Sequence, residues 1–213
     1  MTLISDERHA LAATLRNADP YAVTLCEGWD VIRLLAHLVV RESEPVTAIR
    51  DALARKPAGA EPGLNRLVEA ASTPAAYQAL VSRFAVGPSR WSPRNWVDQK
   101  FNLVEYIVHH EDIRRAGSGG LEPRPLPADV QAAVWKSVVL LSRLSLRKSP
   151  VGVSVATPAG MSQVARKGDP RVTLTGEPVE LALYLSGRRD QARVQLTGSD
   201  ALVDQFRTWI ASP

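Results

Sequence analysis

A helical bundle joined to a small β-β-β-α-β-α piece is the fold class that the sequence predicts, and two observations predict it. Apolar residues recur at helical spacing from Leu3 to Leu146, and at Pro150 the pattern changes to β alternation in "VGVSVAT" and "RVTLTG". The division is therefore expected near residues 147 to 150, between a helical bundle of residues 1–148 and a small α+β domain of residues 149–213. A piece of that size has little core of its own and is expected to pack on the bundle.

Ser5 or Asp6 is the expected cap of a first helix, in which Leu3, Ala10, Leu11 and Leu15 repeat before the Asp19-Pro20 breaker. Asp30 follows "CEGW" as the cap of a second, with Val31, Ile32, Leu35, Leu38 and Val39 on its buried face. A weaker pattern runs from Gly63 to Phe84 and breaks at Thr73-Pro74, where Thr73 caps a new start. "VGPSRWSPRNW" then interrupts the periodicity, and a further helix is expected from about Val97 to Arg115. After "AGSGGLEPRPLP" the last long helix runs from about Ala128 to Leu146, with Val130, Val134, Val138 and Leu141 in phase. Four long antiparallel helices imply a bundle whose functional side chains project into its interior or one open end. In the remainder, "TPAG" turns a hairpin between "VGVSVAT" and "SQVAR", "RVTLTG" and "ARVQLTG" supply two more strands, Glu177 to Leu185 is a helix stopped at Gly187, and "GSD" caps Ala201 to Ile210.

The 26 basic residues exceed the 22 acidic ones by only four, and the two signs are interspersed. A nucleic-acid partner usually demands a basic stripe or arm, so none is expected. A single cysteine, Cys26, rules out an internal disulfide and a cysteine-rich zinc site. Charged residues in "MTLISDERHALAATLRNA" exclude a signal-peptide core there, and no apolar run approaches the ~18 residues of a membrane span. A cytoplasmic protein without a membrane partner is expected.

The stretch "NLVEYIVHHEDIRRAG" carries the chemistry. At about 100° per residue, Glu105, His109 and Asp112 share an arc of roughly 60°, flanked by Phe101, Val104 and Val108 on one side and by Tyr106 and Ile113 on the other. His110, Glu111 and Arg114 fall on what reads as the more polar back of the helix. Ionisable groups among apolar residues need compensation, because desolvating an unpaired charge is costly. A metal ion is one compensator; a plain Glu-His hydrogen bond is another. Among the other histidines, His9 lies in a polar stretch, His110 faces away from the triplet, and His37 lies opposite Leu35 and Val39, beside Arg33, Arg41 and Glu44. By itself that is an ordinary polar helix face.

The ordered combination of "CEGWDVIRLLAHLVVRE" and, much later, "NLVEYIVHHEDIRRA" resembles the mycothiol-dependent maleylpyruvate isomerase family of the DinB superfamily, and within it an actinobacterial subgroup whose reaction is not established. The likeness extends over most of the chain: a tryptophan before the second helix, a histidine within it, E-x-x-x-H on a later helix and a "LSGRR" helix end. It implies a DinB-like antiparallel four-helix bundle with a divalent metal, usually zinc, held by His37, Glu105 and His109. Such a set leaves open positions, the mark of a catalytic site, and also suits nickel or iron.

On that resemblance Asp112 is the candidate to orient a ligand imidazole or accept a proton, against the alternative of a salt bridge to Arg115 or another arginine. Arg41 and Arg188 are candidates to hold an anionic group of substrate or thiol, although the helix dipole explains an arginine at a helix C-terminus such as Arg188. Cys26 precedes a helix N-terminus, where a thiolate is stabilised and could act as a nucleophile; with no histidine expected beside it, "CEGW" reads instead as a loop anchor. The expected activity is a metal-assisted isomerisation or S-transfer on a small electrophile, with mycothiol or another low-molecular-weight thiol as cosubstrate. A metal- or small-molecule-binding protein without turnover and a metal-dependent hydrolase are the alternatives.

Overall fold

The computed structural model describes residues 2–53, 59–87, 99–116 and 122–212. Its contacts divide the chain into two compact units, residues 1–122 and 123–213.

The first unit contains α1 (Leu3–Asn17), α2 (Val31–Ser43), α3 (Pro45–Leu53), α4 (Pro62–Ala70), α5 (Pro74–Val86) and α6 (Gln99–Arg114). Thr2, rather than Ser5 or Asp6, caps α1, its side chain accepting from the Ser5 N–H at 3.3 Å. Asp30 caps α2 by accepting from the Arg33 N–H at 2.9 Å, and Thr73 caps α5 through the Ala76 N–H at 3.3 Å. Helix α3 was not expected, although Val46, Ile49 and Leu53 recur at helical spacing in it; these three are exposed. The stretch from Pro88 to Val97 lies outside the described residues, including the expected start of α6.

Helix α1 packs on α5 and α6, and α2 packs on α3, α4 and α5. Leu11, Leu15, Leu34, Leu35, Leu38, Val81 and Phe84 fill the space between them, with the Tyr106 ring edge-on to Phe84 at 5.8 Å. Tyr77 places its hydroxyl in this core, donating to the Leu15 carbonyl at 2.7 Å, and burial pushes its pKa up to about 12. Helix α2 is buried around most of its circumference; Arg33, His37 and Arg41, four residues apart, form a half-buried stripe along it.

The second unit begins with α7 (Ala128–Ser145) and continues with β1 (Gly152–Ala156), β2 (Ser162–Arg166), β3 (Arg171–Thr175), α8 (Pro178–Leu185), β4 (Gln195–Thr197) and α9 (Asp200–Ala211). The sheet order is β2-β1-β3-β4, with β1 antiparallel to β2, parallel to β3, and β4 antiparallel to β3. Val153, Val155, Val172 and Leu174 are the buried alternate residues of β1 and β3. Gly152 is required for the approach of β1 to Gly168: a Cβ there would meet the Gly168 carbonyl oxygen at 2.3 Å. Helix α8 ends in a Schellman motif, Gly187 at φ 93° with the Gly187 and Arg188 N–H groups on the Tyr184 and Leu183 carbonyls. The "GSD" signal starts α9 where expected, but Ser199 makes no side-chain cap bond.

The division differs from the one expected near residues 147 to 150. Helix α7, counted among the four long helices of the bundle, packs on α8 and β2 and so belongs with the sheet. Periodicity identified the helix but carries no information about which partner takes its buried Val134 and Val138.

Candidate functional site

Within the first unit, His37 on α2 meets Glu105 and His109 on α6. The donor atoms of these three side chains lie within 4.8 Å of one another. His37 Nε2 is 3.5 Å from Glu105 Oε1, and the two imidazole rings stand edge to face with centroids 5.7 Å apart. Arg41, one turn beyond His37, donates to the same Oε1 of Glu105. His37 is 32% exposed at its side chain and Glu105 12%, so the group is sheltered but open on one side. Two imidazoles and a carboxylate at this separation fit a divalent cation, whose charge would compensate a carboxylate set among the buried Val104, Tyr106 and Val108.

The third residue of the α6 arc is behind the site. Asp112 is fully buried, and its Oδ2 lies 2.9 Å from His109 Nδ1 and 3.1 Å from Cys26 Sγ. A carboxylate accepts, so His109 carries its proton on Nδ1 and presents the lone pair of Nε2. A contact of this kind is what orienting a ligand imidazole requires. Arg115 donates from its Nε to Glu111 Oε2 at 2.6 Å.

The loop before α2 completes the surroundings. The Trp29 N–H returns to the Cys26 carbonyl at 2.9 Å, closing a turn with Gly28 at φ 74° in its third position, where a left-handed residue is needed. Thr24 Oγ1 donates to the Trp29 carbonyl and accepts from the Cys26 N–H, and the Leu25 N–H bonds the Asp112 carbonyl at 3.1 Å. The loop is thus tied to α6. It sets the Trp29 ring edge-on to His37 at 5.1 Å and Cys26 Sγ 3.9 Å from His109 Nδ1. Cys26 therefore has a histidine neighbour that its position in sequence did not reveal, and Trp29 is a wall of the site.

The expected polar back of α6 is buried. His110 bonds Glu7 Oε1 at 2.8 Å and Thr14 Oγ1 at 2.7 Å, both on α1, and Glu111, 1% exposed, takes Arg114 and Arg115. Polar character on the helical wheel marked partners rather than solvent. His9 is exposed. Arg188 lies at the end of α8 in the second unit, where its Nη1 donates to the Ser186 carbonyl at 2.6 Å, the contact of a cation at a helix C-terminus.

A buried charge pair that the sequence did not signal lies beside the site. Glu42 on α2 has Oε2 3.5 Å from Arg8 Nη2, which donates to the Tyr106 hydroxyl at 2.7 Å. Glu42 Oε1 and Arg8 Nε have no partner among the described residues. Burial pushes the Glu42 pKa up to about 7, with Arg8 pulling it down and Glu105 adding to the rise.

Residues 2–92 match the family described as "Mycothiol maleylpyruvate isomerase N-terminal domain". No curated protein sequence matches the chain. Among solved structures, the fold matches the mycothiol-dependent maleylpyruvate isomerase at TM-score 0.56 and 17% identity, and a histidine-to-alanine mutant of that enzyme at TM-score 0.59 and 16% identity. Each match covers 92% of this chain and 89% of the other. The matched segment is thus similar to the N-terminal domain of mycothiol maleylpyruvate isomerases, and the helix-rich fold with its small mixed sheet is similar to that of the solved enzyme.

Proposed function

We propose that this chain is a cytoplasmic, metal-dependent enzyme that uses a low-molecular-weight thiol such as mycothiol to isomerise, or transfer sulfur to, a small electrophilic molecule. The observation that carries the reading is the convergence of His37, Glu105 and His109 donors within 4.8 Å on two helices. A divalent cation, most simply zinc, held by these three residues supplies a Lewis acid that lowers the pKa of a bound thiol. Around it Asp112 contacts His109 Nδ1 and would fix its tautomer and ring orientation, and the Trp29 ring stands edge-on to His37. Arg41, 39% exposed beside Glu105, is assigned to an anionic group of thiol or substrate. Among the described residues no helix is long and apolar enough to cross a membrane.

The test is calorimetric titration of zinc-loaded protein with mycothiol and simpler thiols in buffers of different ionisation enthalpy. A coordinating thiol is deprotonated outright, so roughly one proton should leave per thiol bound. Glu105→Ala should abolish this through loss of metal. Absence of thiol binding to fully loaded protein overturns the thiol-dependent reading.

A further inference from the structure

The Glu105 carboxylate is claimed from two directions at one oxygen. His37 Nε2 and the Arg41 guanidinium both face Oε1, and no other side chain is recorded on that carboxylate among the described residues. With 12% of its side chain exposed between the buried Val104 and Tyr106, Glu105 has little access to water and needs a positive partner at all times. Oε1 is the Glu105 oxygen that faces His37, so a cation bound with His37 and His109 would draw on the atom that Arg41 now holds, and two positive groups on one oxygen repel. Arg41 differs from Glu105 in having somewhere to go: its side chain is 39% exposed at the open end of the half-buried α2 stripe.

From this asymmetry we propose that Arg41 is a displaceable counter-ion: it holds Glu105 whenever no metal does, and metal binding releases it toward solvent. The inference rests on the metal reading given above and adds a positioning residue to it. In the metal-free protein Arg41 keeps the carboxylate aimed at His37, so the site does not collapse or admit a buried unpaired charge. On loading, the guanidinium becomes available at the rim of the site one helical turn from His37. Metal affinity is accordingly set by a competition between two cations within this chain's own site, and not by the three donors alone.

Two measurements test this. In the first, zinc affinity is measured by competition with a chromophoric chelator for the wild type, Arg41→Gln and Arg41→Lys. Arg41→Gln should bind zinc about tenfold tighter, the worth of one charge-assisted hydrogen bond no longer broken on loading. Arg41→Lys, which keeps the charge without the fork, should fall between. In the second, which needs no variant, the wild type is treated with phenylglyoxal and modification at Arg41 is followed by peptide mass mapping. Arg41 should react several times faster in zinc-loaded than in chelator-treated protein. Equal or weaker zinc binding by Arg41→Gln, or labelling that zinc leaves unchanged or slows, overturns the displaceable counter-ion while leaving the metal site intact. If the wild type binds no zinc, the metal reading falls and this inference with it; if Arg41→Gln does not fold, the labelling result decides.

Discussion

Asp112 Oδ2 lies 2.9 Å from His109 Nδ1, one helical turn along α6, and holds that imidazole in a single tautomer. The same oxygen accepts from the Cys26 thiol, and the Asp112 backbone carbonyl accepts from the Leu25 N–H. The orientation of a metal-ligand candidate is thus set by a loop that precedes it by some eighty residues in the chain.

Replacing Asp112 with Asn should therefore lower zinc affinity by about 10–100-fold, the usual cost of removing the group that orients a ligand histidine. Chelator competition measures it. An unchanged affinity would show that His109 is held by α6 alone.

The adjacent histidines should separate cleanly. His37→Ala, Glu105→Ala and His109→Ala should each lower metal affinity at least about tenfold through loss of a donor. His110→Ala should leave affinity nearly unchanged yet cost about 1–3 kcal/mol of stability, because buried Glu7 and half-buried Thr14 lose a partner. Metal titration and urea unfolding on the same samples give both numbers; loss of metal by His110→Ala with retention by His109→Ala would reverse the assignment of the two rings.

Stability should depend on pH through Glu42. Its pKa is raised from the ordinary 4.5 to about 7 in the folded chain. Between those values the folded state holds a proton that the unfolded state has released, so stability falls as pH rises through the window. Above pH 7 the loss amounts to roughly 3 kcal/mol. Urea midpoints of the metal-free protein at intervals from pH 5 to 8 should show this slope, and Glu42→Gln should flatten it. A variant that keeps the wild-type slope would assign the pH dependence to another group.

The placement of α7 predicts how the chain can be divided. A fragment of residues 149–213 lacks the helix that packs on α8 and should show no cooperative thermal transition, whereas residues 123–213 should unfold cooperatively. A cooperative transition in the shorter fragment would mean that the sheet and its two later helices suffice.

Most of the elements were legible in the sequence, because helix and strand periodicities and caps such as Asp30 and Thr73 are local. The alternation of Val153, Val155, Val172 and Leu174 marked the strands, and Gly187 the end of α8. What was not legible depended on the identity of a packing partner. Helix α7 has the same apolar stripe whether it joins a bundle or a sheet, and the back of α6 looked polar because His110 and Glu111 carry their partners with them into the interior. At the site, the 100° step placed Glu105, His109 and Asp112 together without help. His37 became a donor candidate only through the family resemblance, since its neighbours Arg33 and Arg41 resemble an ordinary solvated face. The link from Cys26 to Asp112 spans residues too distant for any spacing rule.

All three donors ride on only two helices, and one of these is held from behind by His110, whose two ring nitrogens engage Glu7 and Thr14 on α1. Mechanically the arrangement is a vice with one fixed jaw. A cation held by His37, Glu105 and His109 would sit between α2 and the braced α6, and the interval between these two helices would set the ionic radius that the site takes. Loosening the fixed jaw at Glu7 or Thr14, far from any ligand atom, should therefore broaden the range of ions gripped before it weakens the grip on any one of them.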